Sequence, residues 1–128
     1  MPIRLLVVDD HVIIKDGLGL LCTKHPDVEL AGEASNGQQV LATYEEPRPD
    51  VVVMDVGTPV MGGVTATTAL LQRHPEANVV ALSMHADPYY VGLMEAAGAV
   101  GYVLKDEASE SLASAIRKVI AGQTAFPG

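Results

Sequence analysis

Cysteine, basic side chains and long apolar runs are scarce in this sequence, and each shortage excludes a class of protein. The 128 residues include one cysteine, so no internal disulfide can form and a secreted fold stapled by disulfides is excluded. Eight Lys and Arg residues stand against sixteen Asp and Glu residues. The net charge of −8 argues against nucleic acid as the partner of this segment, because binding phosphates requires a basic face.

Membrane insertion and secretion are also not predicted. No apolar stretch approaches the ~20 residues that a membrane span needs. The first ten residues have no charged leader followed by a long apolar run, so they do not resemble a signal peptide. We therefore expect a reducing, cytoplasmic setting.

The composition that remains is that of one folded domain. Hydrophobic residues make up 48% of the chain and charged residues 19%, which excludes a disordered acidic tail. A chain of this length fits one domain and can bury roughly two thirds of the surface that it exposes when unfolded.

Short apolar runs alternate with segments of helical period along the whole chain. We predict strands over residues 3–8, 28–34, 51–54, 79–82 and 102–104, and helices over residues 12–24, 38–44, 64–73, 89–97 and 112–121. Gly122 fits the end of the last helix, after which residues 123–128 lose the period and indicate a connector. Strands alternating with helices predict a parallel sheet covered by helices on both faces, in the α/β class.

Polar side chains follow four of the predicted strands. Asp9 and Asp10 follow the first, Asp55 the third, Ser83 the fourth and Lys105 the fifth. Each alone has an ordinary structural explanation, as a helix cap, a turn residue or a surface lysine. Because ligands of open parallel sheets bind at the carboxyl ends of the strands, their combination predicts a site at that edge.

Three neighbouring carboxylates limit what this site can bind. Two like charges ~4 Å apart repel by about 4 kcal/mol at an effective dielectric near 20, so a proton or a cation must relieve them. Oxygen ligands without histidine or cysteine favour Mg²⁺ over Zn²⁺, and Mg²⁺ commonly binds together with phosphate oxygens. A carboxylate can itself be the nucleophile and form an aspartyl phosphate.

The motifs around these positions resemble the receiver domain of bacterial two-component response regulators over nearly the whole chain. The matching segments are residues 8–11, 53–63, 82–87 and 98–106. The resemblance implies a flavodoxin-like (βα)5 three-layer sandwich with a parallel sheet of order 2-1-3-4-5. It also implies a phosphoprotein of signal transduction that is not an enzyme beyond its own phosphorylation and dephosphorylation.

The resemblance further implies a role for each site residue. Asp55 is the expected phosphoacceptor for a sensor histidine kinase. Asp10, Asp55 and the carbonyl of Gly57 are the expected Mg²⁺ ligands, and Asp9 reaches the ion or its waters. Gly57 has no side chain to shield the phosphoryl group from water, which suggests a short-lived phosphorylated state.

Three more positions carry roles by the same resemblance. Lys105 and Ser83 are expected to stabilise the phosphoryl group, and Ser83 and Tyr102 to form a switch pair. His85, two residues past Ser83, is a second position that could tune the phosphate lifetime.

The details of these motifs resemble receivers that precede a LuxR/NarL-type helix-turn-helix domain. We accordingly expect a receiver over residues 1–122 and the start of a linker over residues 123–128. Homodimerisation on phosphorylation is expected. DNA binding and transcription regulation are expected only through a C-terminal domain that this sequence does not include.

Two other functions remain open from the residues alone. A phosphohydrolase with an aspartyl nucleophile would need a second acid two residues after Asp55, where this chain has Gly57. A receiver-like interaction module that is never phosphorylated would need no intact site. Outside the site, we expect Cys22 to be a buried or half-buried apolar residue and both His25 and His74 to be exposed.

Overall fold

The computed structural model describes residues 2–9, 12–45, 48–56, 62–84, 88–105 and 108–126. Five strands alternate with five helices along the chain. The elements are β1 (Ile3–Val8), α1 (Val12–Lys24), β2 (Val28–Ala34), α2 (Gly37–Thr43), β3 (Val51–Asp55), α3 (Gly63–Arg73), β4 (Val79–Ser83), α4 (Pro88–Ala97), β5 (Gly101–Leu104) and α5 (Ala108–Ile120). The alternation and all ten elements confirm the sequence prediction.

The prediction was least accurate at the start of α5. This helix begins at Ala108, four residues before the predicted start at Leu112. Small and polar side chains fill its first turn, so the apolar period that revealed the helix begins only at Leu112. The predicted helix end at Gly122 is confirmed by a φ of +86°, a left-handed conformation that glycine adopts without strain.

The five strands form one sheet in the order β2-β1-β3-β4-β5, and every pair of neighbours is parallel. This order confirms the predicted topology. The register places Val8 opposite Met54, Asp55 opposite Leu82, and Ser83 opposite Leu104. The carboxyl ends of β1, β3, β4 and β5 therefore lie side by side at one edge of the sheet.

Helices cover both faces of the sheet, so the central strands are buried on two sides. In β3, Val51 and Val53 belong to the apolar cluster that includes residues of α1 and α5. Val52 and Met54, the alternate residues, belong to the cluster that includes residues of α2, α3 and α4. Burial on both faces explains why these strands are continuous apolar runs rather than alternating ones.

The predicted connector begins with a segment that is attached to the sheet. Ala125 forms a parallel bridge with Gly101 at the outer side of β5. The N–H of Tyr102 donates to the carbonyl of Ala125 at 3.0 Å, and the N–H of Ala125 donates to the carbonyl of Val100 at 2.9 Å. The boundary between domain and linker at residue 122 stays a prediction.

Two histidines are less exposed than the sequence predicts. His25 is half-buried, so the expectation that it is exposed is wrong. His74 is buried, with its ring centroid 4.6 Å from that of Tyr44, because α3 packs against α2 at this end. Its ring nitrogens lie 3.6 Å from carboxylate oxygens of Glu45 and Glu76. The expectation that His74 is exposed is therefore wrong.

Cys22 is half-buried, as expected. Burial, with a smaller contribution from the charge of Glu29, raises the pKa of its thiol, which therefore stays protonated near neutral pH. Among the described helices, none has both the length and the apolar character needed to cross a membrane.

Candidate functional site

The candidate site is built at the carboxyl edge of the sheet by residues that end four neighbouring strands. Asp9 directly follows β1, and its N–H donates to the carbonyl of Ala34 in β2 at 3.0 Å. Asp55 is the last residue of β3, and Ser83 is the last residue of β4. Lys105 directly follows β5. All of these strands run in the same direction, so their polar last residues converge.

Lys105 joins the two described carboxylates. Its Nζ atom lies 3.2 Å from Oδ2 of Asp9 and 3.2 Å from Oδ2 of Asp55. The side chain of Lys105 is 9% exposed, and those of Asp9 and Asp55 are 0% and 4% exposed. A lysine placed this way is a charged group of the site and not the surface residue that its type usually is.

Asp9, Asp55 and Lys105 bring two carboxylates and one ammonium together at a buried place on this edge of the sheet. Buried charges are costly unless they are compensated. Carboxylate oxygens suit a hard cation such as Mg²⁺. The donor chemistry of Asp9 and Asp55 therefore fits the metal that the sequence suggests.

Part of the predicted metal site lies outside the described residues. Asp10, Gly57 and His85 belong to that part of the chain, so their roles stay predictions. Within the described ranges, no group of three or more His, Cys, Asp and Glu side chains is arranged to hold a metal ion.

The switch pair predicted from the sequence lies on adjacent strands. Ser83 is 2% exposed and Tyr102 is 3% exposed. Tyr102 pairs in register with Ala81, two residues before Ser83 on the same strand. In this structure the tyrosine is already buried, within the apolar cluster that contains Met94 and Ala99.

A residue that the sequence analysis did not single out supports the backbone of the site. Gly63 begins α3, and its N–H donates to the carbonyl of Val56 at 3.0 Å. A Cβ atom at this position would lie 2.5 Å from the carbonyl oxygen of Asp55 and 2.7 Å from Cα of Val56. The first turn of α3 thus rests directly on the end of β3. The adjacent glycines 62 and 63 were the available signal, but local sequence does not show which of the two approaches the strand.

Known proteins share both the sequence pattern and the fold. The model of the response regulator receiver domain family matches residues 5–117. Response regulator GacA of Pseudomonas viridiflava is 40% identical over 122 residues, which are 94% of this chain and 56% of the relative. Transcriptional regulatory protein DegU of Brevibacillus brevis is 33% identical over 120 residues, which are 94% of this chain and 51% of the relative. The chain thus spans about half the length of these curated relatives.

A solved structure agrees with these relatives. The crystal structure of a LuxR-family two-component response regulator from Aurantimonas sp. SI85-9A1 superposes with a TM-score of 0.92 at 33% identity, covering 98% of this chain and 89% of that one. The isolated receiver domain of RcsB from Salmonella enterica, with a TM-score of 0.89 at 20% identity, supports the fold alone. The resemblance noted from the motifs is confirmed: the chain belongs to the response regulator receiver domain family.

Proposed function

We propose that this receiver accepts a phosphoryl group from a sensor histidine kinase on Asp55, in a Mg²⁺-dependent reaction. The observation that carries the proposal is the position of the Lys105 ammonium, 3.2 Å from Oδ2 of Asp55 and 3.2 Å from Oδ2 of Asp9. A single buried cation placed between two carboxylates can neutralise charge that is added to either one.

Asp55 is the carboxylate best placed to be the nucleophile. It lies between β1 and β4 in the sheet, so the other strand ends surround it. A carboxylate oxygen of Asp55 forms a bond to phosphorus while the bond between phosphorus and the donor's imidazole nitrogen breaks. The electron pair of that bond returns to the imidazole. The product is an aspartyl phosphate on this chain.

The remaining side chains act by charge and hydrogen bonding. Lys105 pairs with a phosphoryl oxygen, and the Ser83 hydroxyl donates a hydrogen bond to another. Asp9 and Asp55, together with Asp10 and the carbonyl of Gly57 outside the described residues, would hold Mg²⁺. The ion, when bound, neutralises negative charge on the phosphoryl oxygens.

Phosphorylation would shift a conformational equilibrium. The phosphoryl group adds about −1.5 to −2 charges and three strong acceptors beside Ser83 and Lys105. Moving a population from 1:99 to 99:1 takes about 5.5 kcal/mol. A few charge-assisted hydrogen bonds at roughly 1.5–3 kcal/mol each supply that much. We propose dimerisation as the direct output, in the cytoplasm, and DNA binding only through a domain beyond this chain.

Intact mass after incubation with acetyl phosphate and Mg²⁺ tests the proposal. We expect a single phosphoryl adduct on the wild-type chain and none on Asp55→Asn or without metal. The matched control is Asp50→Asn. Asp50 is exposed and directly precedes the first residue of β3, at the end of the strand away from Asp55, so the adduct should still form. An adduct that persists in Asp55→Asn would refute the assignment of the acceptor.

The same experiment addresses the other functions. If Mg²⁺ binds but no adduct forms, the chain is a receiver-like interaction module and the proposal is wrong. If the chain releases phosphate from many donor molecules and Asp55→Asn does so too, an enzymatic function replaces the proposed one. Receivers as a family are not enzymes in the ordinary sense. We include in the proposal that this chain removes the phosphoryl group from its own Asp55.

A further inference from the structure

The segment after α5 returns to the sheet and covers the outer side of β5. We call residues 124–126 the C-terminal strap. Its central residue, Ala125, bonds on both sides of Gly101, accepting from Tyr102 at 3.0 Å and donating to Val100 at 2.9 Å. An edge strand otherwise presents unpaired N–H and C=O groups, so the strap satisfies one of them on β5 and one on Val100, the residue before it.

The strap contacts both apolar layers of the domain. Ala125 packs against the cluster that includes residues of α5, and Phe126 packs against the cluster that includes Tyr102 and Met94. This alternation is the side-chain period of an extended strand. The strap therefore behaves as a short sixth strand. Its last side chain, Phe126, packs on the apolar cluster that contains Tyr102, one of the two predicted switch residues.

The attachment of the strap is incomplete. A cavity of about 440 Å³ lies among β5, α5 and the strap, and its lining includes Tyr102, Ser111, Lys118 and Phe126. Ala125 and Phe126 are each partly exposed, and Thr124 is exposed. Among the described residues, two backbone hydrogen bonds and the packing of Ala125 and Phe126 hold the strap next to this open space. Segments with so few contacts are among the parts of a fold that detach at low cost.

We propose that the C-terminal strap carries the state of Asp55 to whatever follows this domain. In the resting form the strap is paired with β5, and phosphorylation releases it. The proposal rests on the proposed function, because the signal begins with the phosphoryl group.

The route runs through Tyr102 by two connections. Its backbone N–H donates a hydrogen bond to the carbonyl of Ala125 in the strap. Its side chain belongs to the cluster on which Phe126 packs. When Ser83 moves toward the phosphoryl group, Tyr102 moves along the sheet toward the vacated space. The half-buried ring of Phe126 then loses its support on this cluster, and the pairing of Ala125 weakens with it.

Amide hydrogen exchange measured by NMR on the whole chain tests the coupling, with beryllofluoride and Mg²⁺ as a stable substitute for the phosphoryl group. We expect the amides of Ala125 and Tyr102 to exchange about tenfold faster when beryllofluoride is bound, as loss of roughly half of a buried aromatic contact implies. The amide of Gln123, which bonds to Lys118 in the cap of α5, should not change and reports on the helix end.

Variants separate the strap from the site. Phe126→Ala should speed exchange of Ala125 about tenfold without beryllofluoride, and adding beryllofluoride should then change it little. Thr124→Ala, at an exposed neighbouring position, is the matched control and should behave as wild type.

Each outcome decides between the two proposals. If the Asp55 amide shifts on adding beryllofluoride while Ala125 exchange stays constant or slows, release of the strap is refuted and the proposed function stands. If the Asp55 amide does not respond at all, the proposed function fails and the coupling fails with it. In that case Phe126→Ala still reports whether the ring holds the strap.

Discussion

Replacing Gly63 with alanine changes the contact between the first turn of α3 and the end of β3, where Asp55 lies. The added Cβ would lie 2.5 Å from the carbonyl oxygen of Asp55, about 0.9 Å inside the distance at which ordinary van der Waals contact begins. Its other close neighbours are Cα of Val56 at 2.7 Å and the carbonyl carbon of Asp55 at 3.1 Å. All three are backbone atoms, so no side-chain rotation can relieve the overlap.

The overlap can be relieved only if α3 and the end of β3 separate. Overpacking of this kind typically costs 1–3 kcal/mol, and we expect about 3 kcal/mol because the hydrogen bond from Gly63 to Val56 is strained as well. The same separation displaces the backbone of Asp55. A displacement near 1 Å can slow a positioned reaction about 100-fold, and we expect phosphoryl uptake to slow by a factor of that order.

The matched control is Gly62→Ala, one residue earlier. Among the residues that the structure describes, its Cβ would meet only the carbonyl oxygen of Val56 at 4.0 Å, and its backbone angles suit any residue. Because it changes only the N-cap of α3, we expect a cost within about 1 kcal/mol and normal phosphorylation. Urea denaturation gives the free energies of unfolding, and intact mass against time with acetyl phosphate gives the rates.

Equal stability and equal phosphorylation rates for the two alanine variants would refute this reasoning. It would mean that the first turn of α3 moves away from β3 at little cost and that the position of Asp55 does not depend on it. A destabilised Gly63→Ala with an unchanged rate in its folded fraction would refute only the second step.

Three other substitutions test separate parts of the molecule. Ser83→Ala should still accept the phosphoryl group but should dimerise poorly in response, as measured by sedimentation with and without phosphodonor; normal phosphorylation-dependent dimerisation would contradict the switch. Gly57→Asn should slow loss of phosphate from Asp55 by shielding it from water, and an unchanged decay of the adduct would defeat that expectation. The pKa of Asp27 is lowered chiefly by its hydrogen bond from Arg117, so its stabilising contribution is complete above about pH 4 and is lost as pH falls through the folded-state value. Urea denaturation at low salt should therefore show Asp27→Asn less stable than wild type at pH 7, with a smaller difference at pH 3, and a difference that does not depend on pH would contradict this ion pair.

Secondary structure was predictable because each strand of this sheet carries its own signal. β1 after Arg4 and β3 before Asp55 are buried on both faces, so these stretches are apolar without interruption and stand out from the helical segments around them. Their predicted bounds agree with the structure to within one residue. The start of α5 was missed, since the sequence of its first turn, Ala-Ser-Glu-Ser, has no large apolar residue to mark a helical period.

The candidate site was predictable only as a set of positions at one edge. Local sequence showed which residues follow the strands, and the resemblance suggested what they do. It did not show that Lys105 lies at equal distances from Asp9 and Asp55, since three separate strands set those distances. The roles of the site residues remain predictions, both for those whose positions the structure describes and for Asp10, Gly57 and His85 outside the described residues.

His74 illustrates why burial can escape sequence reasoning. The residue follows the end of α3 and precedes a proline, which locally indicates an exposed turn. Packing of α2 against α3 places Tyr44 over its ring and two glutamates beside its nitrogens. No pattern within a few residues of His74 contains that information.

The sequence by itself determined the class of fold, the order of its elements and the edge at which polar groups gather, because period and composition are local properties of the chain. The tertiary structure alone decided the shared ammonium of Lys105, the contact of Gly63 with the backbone of Asp55, and the pairing of Ala125 with β5. Each of these joins residues from different elements, and their distances follow from how helices and strands pack. Packing depends on the shape of the whole domain and not on any single segment.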